Sequence, residues 1–214
     1  MKNTAIEWAE NTINFYIGCT KVSEGCTNCY MYRLEKRFGK DPTVVRKTNW
    51  KTIEKNLKNW PASKIFVNSM SDTFHESIDF GEIRSMFEMM ERYPQHQYLI
   101  LTKRIERAKE YEKDNPFLDN FWLGVSVESG KHLERIDVLL DIRARIHYVS
   151  FEPLLGNIPL APFNTFMLDW AIVGGESGYN PRLPKQEWVD FLIRQLHHYD
   201  VPVFYKQFGG SARC

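Results

Sequence analysis

Three of the four cysteines in this 214-residue chain, Cys19, Cys26 and Cys29, fall in one short run, CTKVSEGCTNC, with the spacing C-x6-C-x2-C. Thiolates are soft ligands for zinc or for iron–sulfur clusters, and a C-x2-C pair is the usual local unit of either. A structural zinc site closes with four protein ligands, so it would need a partner such as His75 or Cys214. A 4Fe–4S cluster on three cysteines keeps one iron open to an outside ligand. Buried, inert thiols are the third reading, but Gly18, Lys21, Glu24 and Gly25 mark an exposed loop rather than a core run. A disulfide framework would spread its members along the chain. The fourth cysteine, Cys214, is the last residue, where fraying is the default.

Other candidate groups sit in short polar blocks. Glu152 in SFEP is placed to accept hydrogen bonds or a proton, or is an ordinary loop acid. Gly174, Gly175 and Glu176 in VGGESG form either a tight turn or a contact to substrate or cofactor through Glu176. Lys206 and Gln207 end the last apolar run and face a barrel mouth or plain solvent. His75 reads more readily as a capped or solvated loop histidine than as a site residue. Tyr30 and Tyr32 offer rings on which a base could stack. The basic stretch from Arg33 to Lys58 tracks phosphates or, since glutamates interleave it, forms a solvated helical face.

These blocks need a scaffold that brings them together. Apolar, β-type runs recur at 13–18, 64–68, 98–102, 122–127, 146–151, 170–173 and 201–205. Most are near-continuous, as in YLILT and HYVSF, which is how strands covered on both faces read. Helical stripes lie between them. Ile83, Met86, Phe87 and Met90 share a face in 80–93, with Asp79 and Glu82 spaced like a capping box. Leu133, Ile136, Leu139 and Leu140 do so in 129–143. Trp188, Phe191, Leu192 and Leu196 do so in 184–199, which opens on a proline suited to a first turn.

Strand and helix in alternation give a parallel sheet with right-handed crossovers. The polar blocks NSMSD, LTKR, VSVES, SFEP, VGGESG and YKQFGG each follow a strand, and a curled sheet converges them on one point. The expectation is an α/β protein, a partial (β/α) TIM-type barrel with about six to seven parallel strands, in a single domain spanning 1–214. A net charge of +1 advertises no polyanion or membrane partner. No apolar run approaches the roughly 20 residues of a bilayer span, and Met1–Glu10 lacks a signal-peptide layout. A cytoplasmic location is expected.

The cysteine loop GCTKVSEGCTNCY, followed in order by FVNSMSDTFHE, LTKR, LGVSVES, SFEPLLG, VGGESG and KQFG, resembles an uncharacterised phage and bacterial family of unknown function. That family resembles a divergent branch of the radical S-adenosylmethionine superfamily, with spore photoproduct lyase-like proteins as its nearest relatives there. The resemblance implies a 4Fe–4S cluster on Cys19, Cys26 and Cys29 and S-adenosylmethionine on its open iron. It implies contacts from Ser69 and Asp72 to the methionine amino group, and from Lys103 and Ser126 to the carboxylate or ribose. Arg135 would pair with that carboxylate. The product would be a 5′-deoxyadenosyl radical acting on a small molecule or a nucleic-acid base, with electrons from a reductant such as flavodoxin or ferredoxin. Glu152, Glu176 and Lys206 are the candidate catalytic residues. The chain departs from the superfamily in its x6 spacing, in Asn28 before the last cysteine, and in a GGE that follows the sixth strand rather than the second. The alternative is a zinc- or cluster-stabilised binding protein without radical chemistry.

Overall fold

The computed structural model describes residues 4, 6–161, 167–178 and 180–210. Seven parallel strands form one sheet: β1 (Asn11–Ile13), β4 (Lys64–Val67), β5 (Gln97–Thr102), β6 (Phe121–Ser126), β7 (Ile146–Phe151), β8 (Trp170–Val173) and β9 (Val203–Tyr205). A two-stranded antiparallel ribbon, β2 (Tyr16–Ile17) with β3 (Arg46–Lys47), stands apart from it. The helices are α1 (Tyr30–Arg37), α2 (Trp50–Asn59), α3 (Phe80–Glu91), α4 (Ile105–Glu112), α5 (Glu134–Leu140) and α6 (Gln186–His198).

Each strand of the sheet pairs with its successor and the order never reverses. With right-handed crossovers, an order that runs in one direction puts every connecting helix on the same face. Among the described residues no helix covers the other face, and the sheet curls on itself into a half-barrel. The doubly wound alternative would need a reversal of strand order, and there is none.

The two faces hold different cores. Between sheet and helices lies a large cluster that includes Ile65, Val67, Ile100, Val125, Val149 and Val173 with the inner stripes of the helices. An aromatic nest of Phe74, Phe87, Tyr111, Phe117 and Phe121 anchors α3 and α4 there, its ring centroids 4.9 to 6.4 Å apart. On the concave face Trp8, Phe66, Leu99, Tyr148 and Ile172 form a second cluster, joined by Leu101, Trp122, Trp170 and Phe204. Trp8 packs edge-on against Phe66 and Trp170, at 4.6 and 6.1 Å, and closes the barrel floor. Gly124 is required at this level, because a Cβ there would lie 2.5 Å from the Tyr148 ring.

The first strand differs from the sequence expectation. The run at 13–18 is not one strand: the sheet takes Asn11–Ile13, and Tyr16–Ile17 leaves it to pair with β3. Asn68, at φ 58, turns its amide oxygen back to accept from the backbone N–H of Phe15 and Tyr16, which diverts the chain there. Helix α3 is capped by Asp79, whose carboxylate accepts from the N–H of Glu82. Helix α5 is shorter than its apolar stripe, with a 3-10 turn at Gly130–His132 before it. Helix α6 begins two residues after Pro184, and it buries Val189, Leu192 and Leu196 while Trp188 and Phe191 stay half-covered. Among the described residues no helix is long and apolar enough to cross a membrane.

Candidate functional site

The cysteine loop lies between β2 and α1 and folds over the carboxyl ends of the strands. Cys26 ends a 3-10 turn, Glu24–Cys26, and Cys29 is the residue that precedes α1. All three thiols are free and partly covered. They are neighbours: Cys26 bears on both Cys19 and Cys29, and all three act on the Tyr32 hydroxyl. Burial pushes the Cys19 thiol up to about 11, with the Asp72 carboxylate adding to it and Arg104 opposing. Burial also raises Cys29, against Lys103 nearby. Unliganded, the Cys19 and Cys29 thiols hold their protons, and binding a metal centre would release them.

A second layer holds the loop. Arg104 lies under it, with Nη1 3.6 Å from Cys19 Sγ and 3.2 Å from Asp72, and Nη2 3.1 Å from the Thr20 carbonyl. Asp72 is buried and accepts from Thr102 Oγ1 and from the backbone N–H groups of Phe74 and Lys103. Glu128 has no side-chain exposure and receives three donors: Ser23 Oγ at 2.5 Å, Lys103 Nζ at 2.9 Å and Arg135 Nη1 at 3.0 Å. Burial alone would raise its carboxyl, yet Lys103, Ser23 and Arg135 together carry it below the usual carboxylate range. Gly25 lies directly on it, since a Cβ there would sit 2.5 Å from the Glu128 side chain. On the other flank Glu176 accepts from Asn28 Nδ2 at 2.8 Å and from the backbone and guanidinium of Arg182. Arg182 also donates to the Glu24 carbonyl. Glu24 is drawn down to about 2 by the hydrogen bond from His132, with Ser129 as a further donor.

The residues singled out from sequence are distributed as follows. Ser126 follows the alternation of Trp122 and pairs in register with Ser150, so both line the concave face above the aromatic floor. Ser69 Oγ donates to Asn14, and its carbonyl accepts from the Tyr30 hydroxyl at 2.5 Å. Lys103 reaches Glu128, and Arg135 bonds Glu128 and the Ser126 carbonyl, so the guanidinium's carboxylate partner lies within the chain. Lys206 Nζ is 3.0 Å from Glu152 Oε1, and Ser150 donates to the other oxygen of Glu152 at 3.4 Å. Gln207 and Lys206 both donate to Ser177. Glu176 is a link between two loops.

His75 is occupied elsewhere. Its Nδ1 lies 3.1 Å from the Ser77 N–H, and its Nε2 lies 3.1 Å from the Thr20 N–H and 2.9 Å from Thr20 Oγ1. Burial and Arg104 lower its proton affinity. Cys214 lies outside the described residues. Among the described residues no group of three or more His, Cys, Asp or Glu side chains closes tightly enough to hold a single metal ion.

Glu128, Arg104, Ser23 and Arg182 belong to the site and were not singled out from sequence. Two of them carried a signal: Glu128 lies two residues after Ser126, on the same face of the strand's extension, and Arg104 follows Lys103 at a strand end. A cleft of about 670 Å³ opens beside the site, lined by Glu24, Ser129, Lys131, Leu155, Arg182 and Trp188. It touches the cysteine loop only through Glu24 and Arg182.

No curated protein and no solved structure matches the chain. A family model described as "Protein of unknown function (DUF5131)" matches residues 3–213, nearly the whole chain, and the protein belongs to that family.

Proposed function

We propose that this protein is a radical S-adenosylmethionine enzyme whose cluster is held by Cys19, Cys26 and Cys29. The observation that carries the reading is the meeting of three free thiols over the carboxyl ends of an all-parallel half-barrel, beside Lys103 and Arg104. Three cysteines with no fourth protein ligand assigned would leave one iron of a 4Fe–4S cluster open, whereas a structural zinc site takes four protein ligands. Cations beside the thiols offset the negative charge that ligated thiolates carry. When bound, the cluster and S-adenosylmethionine would supply a 5′-deoxyadenosyl radical.

The remaining work falls to the chain. Ser69 is the acceptor offered to the methionine amino group, and Asp72, its oxygens taken by Phe74, Thr102, Lys103 and Arg104, positions Arg104 beneath the cysteine loop. Ser126, on the concave face, faces a ribose or carboxylate. Lys103 stands between Glu128 and the thiols and presents a cation to the same carboxylate. Arg135 acts through Glu128, which it holds in place, rather than by direct contact. The Lys206–Glu152 pair is the proton-transfer candidate on the far wall, and Glu176 positions the loop. The packed aromatic floor closes the bottom of the chamber, which would shield a radical there from water. The substrate is a small molecule or a nucleic-acid base.

Anaerobic reconstitution with iron and sulfide tests this. A brown protein that releases 5′-deoxyadenosine when reduced with S-adenosylmethionine is the expected result. A colourless chain carrying one zinc and yielding no 5′-deoxyadenosine would overturn it in favour of a metal-stabilised binding protein.

A further inference from the structure

The cleft of about 670 Å³ is built by the loops that follow β6, β7 and β8 and by the first turn of α6. Part of its wall is apolar. Leu183 is 60% exposed there, and Leu155 and the Trp188 indole are half-covered. An apolar wall beside a few convergent polar groups is the layout of a small-molecule pocket.

The polar lining carries both signs of charge. The Glu24 carboxylate is fixed by Ser129 Oγ on one oxygen and His132 Nε2 on the other, both at 2.8 Å, and each oxygen keeps room for a further donor. Lys131 is exposed and bonds no described residue. Arg182 holds Glu176 through Nε and Nη2, while its Nη1 has no partner among the described residues. The Lys185–Glu187 pair, with Lys185 Nζ 5.3 Å from the centre of the Trp188 ring, adds no net charge at the rim. The two signs are close together. Arg182 Nη2 lies 3.1 Å from the Glu24 carbonyl, and Ser129, bonded to the Glu24 carboxylate, is two residues before Lys131.

We infer that this cleft binds a free amino acid with a large apolar side chain. Its ammonium group donates to Glu24, its carboxylate accepts from Lys131 and Arg182 Nη1, and its side chain lies against Leu155, Leu183 and Trp188. A ligand with negative charge alone would meet the Glu24 carboxylate, and an uncharged one would leave both signs unanswered. An extended peptide carries its charged ends a chain length apart, at about 3.3–3.6 Å per residue, whereas a single amino acid presents both within one residue. The inference does not depend on what the cysteines hold.

Calorimetric titration of the full chain with L-leucine, L-phenylalanine and L-tryptophan, each up to about 10 mM, tests it. At least one is expected to bind, one molecule per chain. Its N-acetyl and amide derivatives, which each lack one charge, should bind at least about tenfold more weakly, and glycine at least as weakly as these. Lys131→Glu and Leu183→Asp, both at exposed positions, should each weaken binding at least about fivefold without moving the thermal unfolding midpoint. If one variant loses its fold by circular dichroism, the other carries the comparison, and the derivative series stands without either. Failure of all three amino acids to bind overturns the inference, as does wild-type affinity in a folded variant. An N-acetyl derivative that binds as tightly as its parent, or adenosine monophosphate bound more tightly than any of the three, makes the cleft an anion site and also overturns it.

Discussion

At the floor of the concave face Trp8, Phe66, Leu99, Tyr148 and Ile172 pack closely, and two buried polar atoms, Trp8 Nε1 and Tyr148 OH, have no hydrogen-bond partner. Further along the same strands, the buried groups are Ser126, Glu128, Asp72 and Arg135, and each of the two carboxylates has at least three donors. The floor therefore owes its shape to volume and contact, and the mouth to directional bonds between segments far apart in sequence. Ser23 and Glu128, for example, are separated by 105 positions. A substitution at the floor should cost global stability, whereas one at the mouth should displace the cysteine loop and respond to pH.

The largest expected effect is at the floor. Tyr148→Ala removes a fully buried ring and should cost about 3–5 kcal/mol in urea unfolding; a cost below about 1 kcal/mol would mean that the floor is not a packed core. Next comes Glu128→Ala at the mouth, which leaves Lys103 and Arg135 without their shared partner. It should cost about 3 kcal/mol at neutral pH, the lower end of the range for a buried pair because Lys103 keeps some access to water. The pH dependence separates the two regions. Glu128 is depressed in the folded state, so its contribution is full above the ordinary carboxylate value and is lost as pH falls through the lower folded value. Urea midpoints measured from neutral pH downward should decline less steeply in Glu128→Gln than in the wild type, and parallel curves would contradict the assignment.

Gly124→Ala should cost about 1–3 kcal/mol, because the new methyl meets the Tyr148 ring in a chamber with no room to yield. Pairing it with Tyr148→Phe leaves that clash in place, while pairing it with Tyr148→Ala should relieve it in a double-mutant cycle. The smallest effect is Tyr148→Phe alone. Its hydroxyl is buried without a partner, so its removal should change stability by about 0.5 kcal/mol or less, in the stabilising direction. A loss above about 1 kcal/mol would show that the hydroxyl has a partner in solution.

The floor was more legible in the sequence than the mouth. Strands such as Gln97–Thr102 and Ile146–Phe151 are apolar on both sides because both sides are covered, so their runs identify themselves. The succession of polar blocks after the strands gave the curled sheet. Helix α4 was harder to find, since only Ile105, Ala108 and Tyr111 mark its buried stripe among charged neighbours. The first strand was misplaced because the side chain that bends the chain at Phe15, Asn68, is 53 residues away. Arg135 was identified as a cation for a carboxylate, but that the carboxylate is Glu128 depends on how α5 packs, which no local spacing encodes. Glu176 likewise reads from sequence as a turn or a contact to substrate or cofactor, because nothing local places Arg182 and Asn28 on it.

The sheet starts at β1 and stops at β9 without those two strands bonding to one another, and each is only three residues long. Both rims of the sheet thus carry unpaired backbone among the described residues, and the brevity of the bordering strands limits how much of it they offer to other sheets.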